Sequence, residues 1–95
     1  MGTVPEAAKI LLVDDEPESI KLISRMLAGI GPVRFATSGL EALERIRADA
    51  PDLVITDIHM PGMSGLELCG AIRSAPELGQ LPVIVITASG LGEVE

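Results

Sequence analysis

The chain has 95 residues, of which 47% are hydrophobic and one, Phe35, is aromatic, and its formal net charge is −7. This length allows one small domain, and the apolar content is high enough for a packed core, which excludes a disordered chain. The basic residues are scattered and outnumbered, so we expect no nucleic-acid surface in this segment.

Membrane and secretory classes are also excluded by the pattern. The longest apolar runs, Ile10–Val13 and Val83–Ile86, are too short to span a bilayer, and the N-terminus does not resemble a signal peptide. The single cysteine, Cys69, excludes an internal disulfide and fits a reducing compartment. We therefore expect a cytoplasmic protein in which Cys69 serves packing.

After a lead-in at residues 1–8, the pattern predicts strands alternating with helices. The strands are apolar runs that end at polar residues, and the helices carry apolar residues at helical spacing. In chain order we predict a strand at Ile10–Val13, a helix through Ser19–Ala28 with Pro17 in its first turn, an edge strand at Val33–Ala36, a helix at Leu40–Ala50, a strand at Leu53–Thr56, a helix ending near Ser74, a loop at Ala75–Pro82 and a strand at Val83–Ile86.

The second predicted helix has two local features. Either hydroxyl of the preceding turn, that of Thr37 or that of Ser38, is suited to cap its first turn. Its core-facing side is predicted to carry Leu40, Leu43, Ile46 and Arg47.

Strands that alternate with helices form a parallel sheet with right-handed crossovers, and the carboxyl ends of such strands meet at one edge. The first strand brings Asp14 and Asp15 to this edge, the third brings Asp57 and the fourth brings Thr87. Three carboxylates in one place repel each other unless a cation lies among them, and an all-oxygen set suits Mg²⁺. Taken singly, the aspartates also fit a helix N-terminus or an Asx turn.

Three stretches, ILLVDDEP, LVITDIHMPGMSG and PVIVITA, resemble in order and spacing the receiver domain of bacterial two-component response regulators. The resemblance extends from about Lys9 to the C-terminus. It implies a flavodoxin-like α/β fold with a parallel sheet in the order 2-1-3-4, without the fifth strand and last two helices of the family. The expected organisation is one incomplete receiver domain over residues 1–95.

The resemblance also implies a metal site. Asp15, Asp57 and the backbone carbonyl of His59 would bind Mg²⁺ directly, and Asp14 would act mainly through a bridging water. The imidazole of His59 is expected to face solvent, because a loop side chain is rarely held in the geometry that proton transfer needs.

By the same resemblance, Asp57 would accept a phosphoryl group from a phosphohistidine on a histidine kinase or phosphotransfer protein. Thr87 would donate a hydrogen bond to the transferred group, and Ala88 would leave space for the donor. The expected role is therefore that of a phosphate-accepting signalling domain in a phosphorelay, not of an enzyme with turnover.

The sequence departs from the family in ways that carry expectations of their own. The family's fifth-strand lysine is missing, since the lysines are Lys9 and Lys21, so we expect phosphoryl transfer to this chain to be impaired. With one helix on one sheet face, side chains of the first and third strands should be partly bare. We expect self-association through that face and the edge of the fourth strand.

Two other functions fit parts of the pattern. A pseudo-receiver would keep the fold and acidic pocket as an interaction or dimerisation module without phosphorylation. A Mg²⁺-dependent phosphohydrolase would need a second aspartate two residues after its nucleophile, and Asp14 is followed at that position by Glu16.

Overall fold

A computed structural model describes residues 8–86. The predicted strands are confirmed to within one residue, and the first and second helices begin slightly earlier than predicted. The elements are β1 Ile10–Val13, α1 Pro17–Leu27, β2 Val33–Ala36, α2 Gly39–Ala48, β3 Leu53–Asp57, α3 Gly65–Ser74, a 3₁₀ helix Pro76–Leu78 and β4 Val83–Ile86. Most of the lead-in predicted at residues 1–8, and all of residues 87–95, lie outside this description.

The four strands form one parallel sheet in the order β2-β1-β3-β4. The central strands β1 and β3 have buried residues on both faces, because helices cover both sides of the sheet. The prediction of β2 as an edge strand is confirmed, and so is the flavodoxin-like α/β class with the order 2-1-3-4.

The larger core lies between the sheet and the helices α2 and α3. Alternate residues of β1 and β3 point into it, as the pleat of a strand requires. Its best-buried large side chains are Leu11, Val13, Ile46, Val54, Leu68 and Ile72.

The smaller core lies between the sheet and α1. Ile10, Leu12 and Ile55 are buried there, with apolar side chains of α1 packed against them. The expectation that the first and third strands are partly bare on this face is therefore wrong for these three residues, because α1 lies over the sheet centre. Exposure is found at the sheet edges instead, where Phe35 and Ile84 are about half exposed.

The helix α2 is rotated relative to the prediction. Leu43 and Ile46 are buried as expected, but Leu40 is 66% exposed and Arg47 is exposed too. The buried side of α2 is formed by Gly39, Ala42, Leu43 and Ile46. The start of the helix lies directly against the β3–α3 loop, since a Cβ on Gly39 would lie 2.6 Å from Sδ of Met63.

Local signals determine where the helices begin. Pro17 occupies the first turn of α1 as predicted. Ser38, not Thr37, caps α2 by accepting the amide of Glu41, and Ser64 forms a capping box with Glu67 at α3. Within residues 8–86, no helix has the length and apolarity to cross a membrane.

Candidate functional site

The site begins where β1 and β3 end side by side. Val13 is paired with Thr56, so the next residues, Asp14 and Asp57, are neighbours across strands that lie about 4.8 Å apart. Strand alternation directs both toward the α1 side, in series with Leu12 and Ile55. The register of two apolar strands thus brings two carboxylates together.

Asp15 completes an acidic cluster with Asp14 and Asp57. One carboxylate oxygen from each residue lies within 4.8 Å of the others. Asp14 is buried, Asp57 is half-buried and Asp15 is exposed, so the cluster opens to solvent on one side. In the described part of the chain, the ion pairs of Lys and Arg are made with Asp49 and Glu41, not with the cluster.

Of the three carboxyl groups, that of Asp14 is the most buried. Its side chain is 2% exposed, and burial is the main reason that the pKa of its carboxyl is raised; repulsion from Asp57 and Asp15 adds to the shift. A hydrogen bond from the amide of Glu16, 2.9 Å long, partly offsets the shift. This hydrogen bond from the amide two residues further on is that of an Asx turn and does not cap α1, whose N-cap residue is Glu16. The crowding of carboxylates exists beside it.

The donor set fits a hard divalent cation. Carboxylate oxygens are what Mg²⁺ prefers, and Mg²⁺ commonly uses one or two carboxylates with waters completing its shell. The half-open cluster leaves room for such waters. The donors of the cluster are therefore those expected of the predicted Mg²⁺ site at Asp14, Asp15 and Asp57.

His59 follows Asp57 by two residues and its side chain is exposed. With Met60, Pro61 and Ser64 it lines an open surface depression on the loop that follows β3. Met60 itself is buried in the larger core, which anchors the loop that carries His59. This position is compatible with the expected use of the His59 backbone carbonyl.

The predicted Thr87 and Ala88 follow Ile86, the residue of β4 that is paired with Asp57. Both lie outside the described residues, so their predicted roles stay predictions.

Sequence reasoning missed the hydrogen bonds that hold the backbone after Asp57. The hydroxyl of Thr56 donates to the carbonyl oxygen of Asp57 at 3.0 Å. The amide of Ile58 donates to the carbonyl of Ile86 at 2.8 Å, and the amide of Gly65 donates to the carbonyl of Ile58 at 2.9 Å. The signal available in the sequence was a threonine within an otherwise apolar strand.

Known proteins are similar to this chain in sequence and in architecture. The family model described as response regulator receiver domain matches residues 10–93. The chain is 37% identical over 86 residues to the signal transduction histidine-protein kinase BarA of Escherichia coli. This match covers 90% of the chain and 9% of BarA. It is 40% identical over 83 residues to the response regulator MprA of Mycobacterium ulcerans. This match covers 86% of the chain and 35% of MprA.

The fold has solved counterparts too. The crystal structure of the N-terminal domain of a response regulator receiver protein from Methanoculleus marisnigri matches with a TM-score of 0.81 and 39% identity, over 85% of this chain and 67% of that one. In contrast, the chain spans only 9% of the length of BarA and 35% of the length of MprA. Because the family model covers most of its length and the sheet order agrees, the chain belongs to the response regulator receiver domain family, a family of signalling domains found in histidine kinases and response regulators.

Proposed function

We propose that this receiver domain accepts a phosphoryl group on Asp57 in a Mg²⁺-dependent phosphorelay step. The observation that carries the proposal is the convergence of three carboxylates, with oxygens within 4.8 Å of one another, at the carboxyl edge of the sheet. Ligand sites of open parallel sheets lie at this edge. Of the three, Asp57 is neither fully buried nor fully exposed, so an incoming group can reach a carboxylate that the strand still holds.

The proposed step is a displacement at phosphorus. An oxygen of the Asp57 carboxylate attacks the phosphorus of a phosphohistidine, the N–P bond breaks, and its electron pair stays on the imidazole nitrogen. The product is an acyl phosphate on Asp57 and a free histidine on the donor. Asp57 is the last residue of β3, so the sheet holds its backbone at the edge where the strand ends. This favours the positioning that phosphoryl transfer needs.

Asp14 and Asp15 would hold Mg²⁺ beside Asp57, together with the backbone carbonyl of His59. When bound, the ion neutralises charge on the phosphoryl oxygens and on the clustered carboxylates. The raised pKa of Asp14 supports this assignment, since its first cause is burial of a carboxyl group that has carboxylate neighbours.

The proposed donor is a histidine kinase or a histidine phosphotransfer protein. The similarity to BarA and MprA supports a partner of this kind, because one is a histidine-protein kinase and the other a response regulator. We place the reaction in the cytoplasm, where a free thiol such as the half-buried Cys69 stays reduced.

Beryllofluoride, a mimic of a phosphoryl group, tests this function without a donor. We expect the chain to bind it in the presence of Mg²⁺, giving bound fluorine signals by ¹⁹F nuclear magnetic resonance, whereas Asp57→Asn gives none. The matched control is Asp52→Asn, an exposed aspartate before the same strand, which should bind normally. Absence of bound signals from the unaltered chain at millimolar Mg²⁺ would refute the proposal.

A pseudo-receiver that works without phosphorylation is the second candidate, and the position of the lysines favours it. Lys9 pairs with Asp49 before the start of β1, at the opposite end of the sheet from the cluster, and Lys21 is exposed on α1. Lys9 is therefore not placed to neutralise a phosphoryl group on Asp57, and in the described part of the chain no lysine or arginine forms an ion pair with the acidic cluster. This candidate predicts no beryllofluoride binding and a fold that is unchanged by Asp57→Asn.

We further propose that the chain self-associates through the outer edge of β4. Within residues 8–86, β4 is the terminal strand of the sheet, and Ile84 on it is 48% exposed. An apolar edge strand with unpaired backbone groups is a template for pairing with another strand. The contribution expected from the centre of the sheet face is smaller, since Leu12 and Ile55 are already buried.

A further inference from the structure

The peptide that follows Asp57 is held from three directions. Thr56 donates its hydroxyl to the carbonyl oxygen of Asp57, Ile86 of β4 accepts the amide of Ile58, and Gly65 of α3 donates its amide to the carbonyl of Ile58. This set of three hydrogen bonds, which we call the Asp57 clamp, joins β3, β4 and α3. It lies between the carboxylate of Asp57 and the backbone of His59.

Thr56 contributes to the clamp with a side-chain hydroxyl, which the pairing of the strands does not require. Its side chain is fully buried, on the α2–α3 face where Val54 is its apolar neighbour along the strand. A buried hydroxyl is costly unless it finds a hydrogen-bond partner, and here it finds the carbonyl of Asp57 at 3.0 Å. A valine of nearly the same shape would fill the space without this bond. The hydroxyl therefore acts on the backbone of Asp57.

Gly65 is required for the approach of α3. A Cβ at this position would lie 2.1 Å from the carbonyl oxygen of Asp57 and 3.0 Å from Cα of Ile58. Both are backbone atoms, so any side chain would push the start of α3 away from the Asp57–Ile58 peptide. The capping box of Ser64 and Glu67 fixes the local conformation of the helix start, so the change would fall on the contact between that start and the Asp57–Ile58 peptide.

We propose that Thr56 and Gly65 are positioning residues for the metal-binding groups, which hold the Asp57–Ile58 peptide so that the Asp57 carboxylate and the His59 carbonyl face the same position. The inference rests on the proposed function, since it concerns the same Mg²⁺ site. The Thr56 side chain lies on the opposite face of the sheet from the acidic cluster and Gly65 has no side chain, so both residues would act through the backbone. Outer residues that orient ligands of a metal commonly change its affinity by about tenfold or more when altered.

The test compares four variants of the full chain by their Mg²⁺ dissociation constants from isothermal titration calorimetry. Thr56→Val removes the hydroxyl, Thr56→Ser restores it, Gly65→Ala adds the clashing Cβ, and Gly70→Ala adds a Cβ on the same helix where nothing lies within 4 Å. Hydrogen exchange of the Ile58 and Gly65 amides reports the clamp itself, independently of the ion. Chemical denaturation reports whether each variant is folded.

We expect Thr56→Val and Gly65→Ala to raise the dissociation constant about tenfold and to speed exchange of the clamp amides, with Thr56→Ser and Gly70→Ala within about twofold of the unaltered chain. Equal effects of Thr56→Val and Thr56→Ser, or a folded Thr56→Val with unchanged affinity, would overturn the inference alone. If Gly65→Ala does not fold, the Thr56 pair still decides. An unaltered chain that binds no Mg²⁺ overturns the proposed function as well.

Discussion

Asp14 shows how a single residue in this site opposes folding. It is buried beside two other carboxylates, and the burial raises the pKa of its carboxyl above the ordinary value of 3.8. A carboxyl group whose pKa is higher in the folded state destabilises the fold at every pH above that raised pKa. This is the arrangement expected where a site is organised for a cation that is not part of the polypeptide.

We therefore predict that Asp14→Asn is more stable than the unaltered chain at neutral pH without Mg²⁺. Asparagine keeps an oxygen that can accept the amide of Glu16 and removes the buried charge. The difference should shrink as the pH falls through the raised pKa of Asp14, because the unaltered carboxyl is then protonated in the folded state too. Urea denaturation over a pH series measures it.

Glu44→Gln, which removes a charge from the exposed face of α2, should not show this pattern and serves as the control. Added Mg²⁺ should reverse the order: a ligand at about one hundred times its dissociation constant stabilises the folded state by about 2.7 kcal/mol, and Asp14→Asn should gain less. If Asp14→Asn is less stable than the unaltered chain at neutral pH without the ion, the electrostatic account of Asp14 is wrong.

At the scale of elements, the capping box of Ser64 and Glu67 stabilises the start of α3, where the β3–α3 loop ends. The capping box satisfies two backbone amides, those of Ser64 and Glu67. We predict that Ser64→Ala lowers the free energy of unfolding by about 1 kcal/mol, measured by urea denaturation. The control at the other end of the helix is Ser74→Ala, which loses a hydroxyl bonded to the carbonyl of Gly70 and should change stability by less than about 0.5 kcal/mol. Equal losses in the two variants would contradict the role of the cap.

The strands could be predicted because their signals are local, whereas their order was implied by the resemblance to the receiver family. Buried strands such as Ile10–Val13 are uninterrupted apolar runs that stop at aspartate, and alternation with helices leaves few topologies. The convergence of the carboxylates then followed from parallel pairing. The same local chemistry predicted a hydroxyl cap for α2, and packing decided that Ser38 and not Thr37 supplies it.

What could not be predicted depends on contacts between elements. In the packed helix α2, Gly39 lies against Met63 and Leu40 is exposed, whereas periodicity alone predicts Leu40 on the buried side. The stretch predicted as a loop contains a 3₁₀ helix that buries Leu78. The Asp57 clamp needs β3, β4 and α3 together, so no single stretch of sequence indicates it.

At the scale of the whole molecule, both edge strands of the sheet carry an exposed large apolar residue, Phe35 on β2 and Ile84 on β4, in addition to those on the helices. We predict that the chain shows a concentration-dependent mass in analytical ultracentrifugation and that Ile84→Lys shifts it toward monomer, since a lysine on an edge strand opposes pairing. Leu40→Lys, on α2 at a residue that is more exposed than Ile84, should leave the association unchanged. A monomer mass that does not depend on concentration would remove the proposal of self-association.

The most direct test of the central claim is phosphorylation of Asp57 itself. The chain is incubated with acetyl phosphate and Mg²⁺, reduced with borohydride to convert an acyl phosphate into a stable product, and mapped by mass spectrometry. We predict slow modification of Asp57 that is abolished by removal of Mg²⁺ and by Asp57→Asn. It should be slow because Lys9 lies at the opposite end of the sheet and, in the described residues, no lysine or arginine pairs with the acidic cluster. Modification at another residue, or none at Asp57 after prolonged incubation with Mg²⁺, would contradict the account.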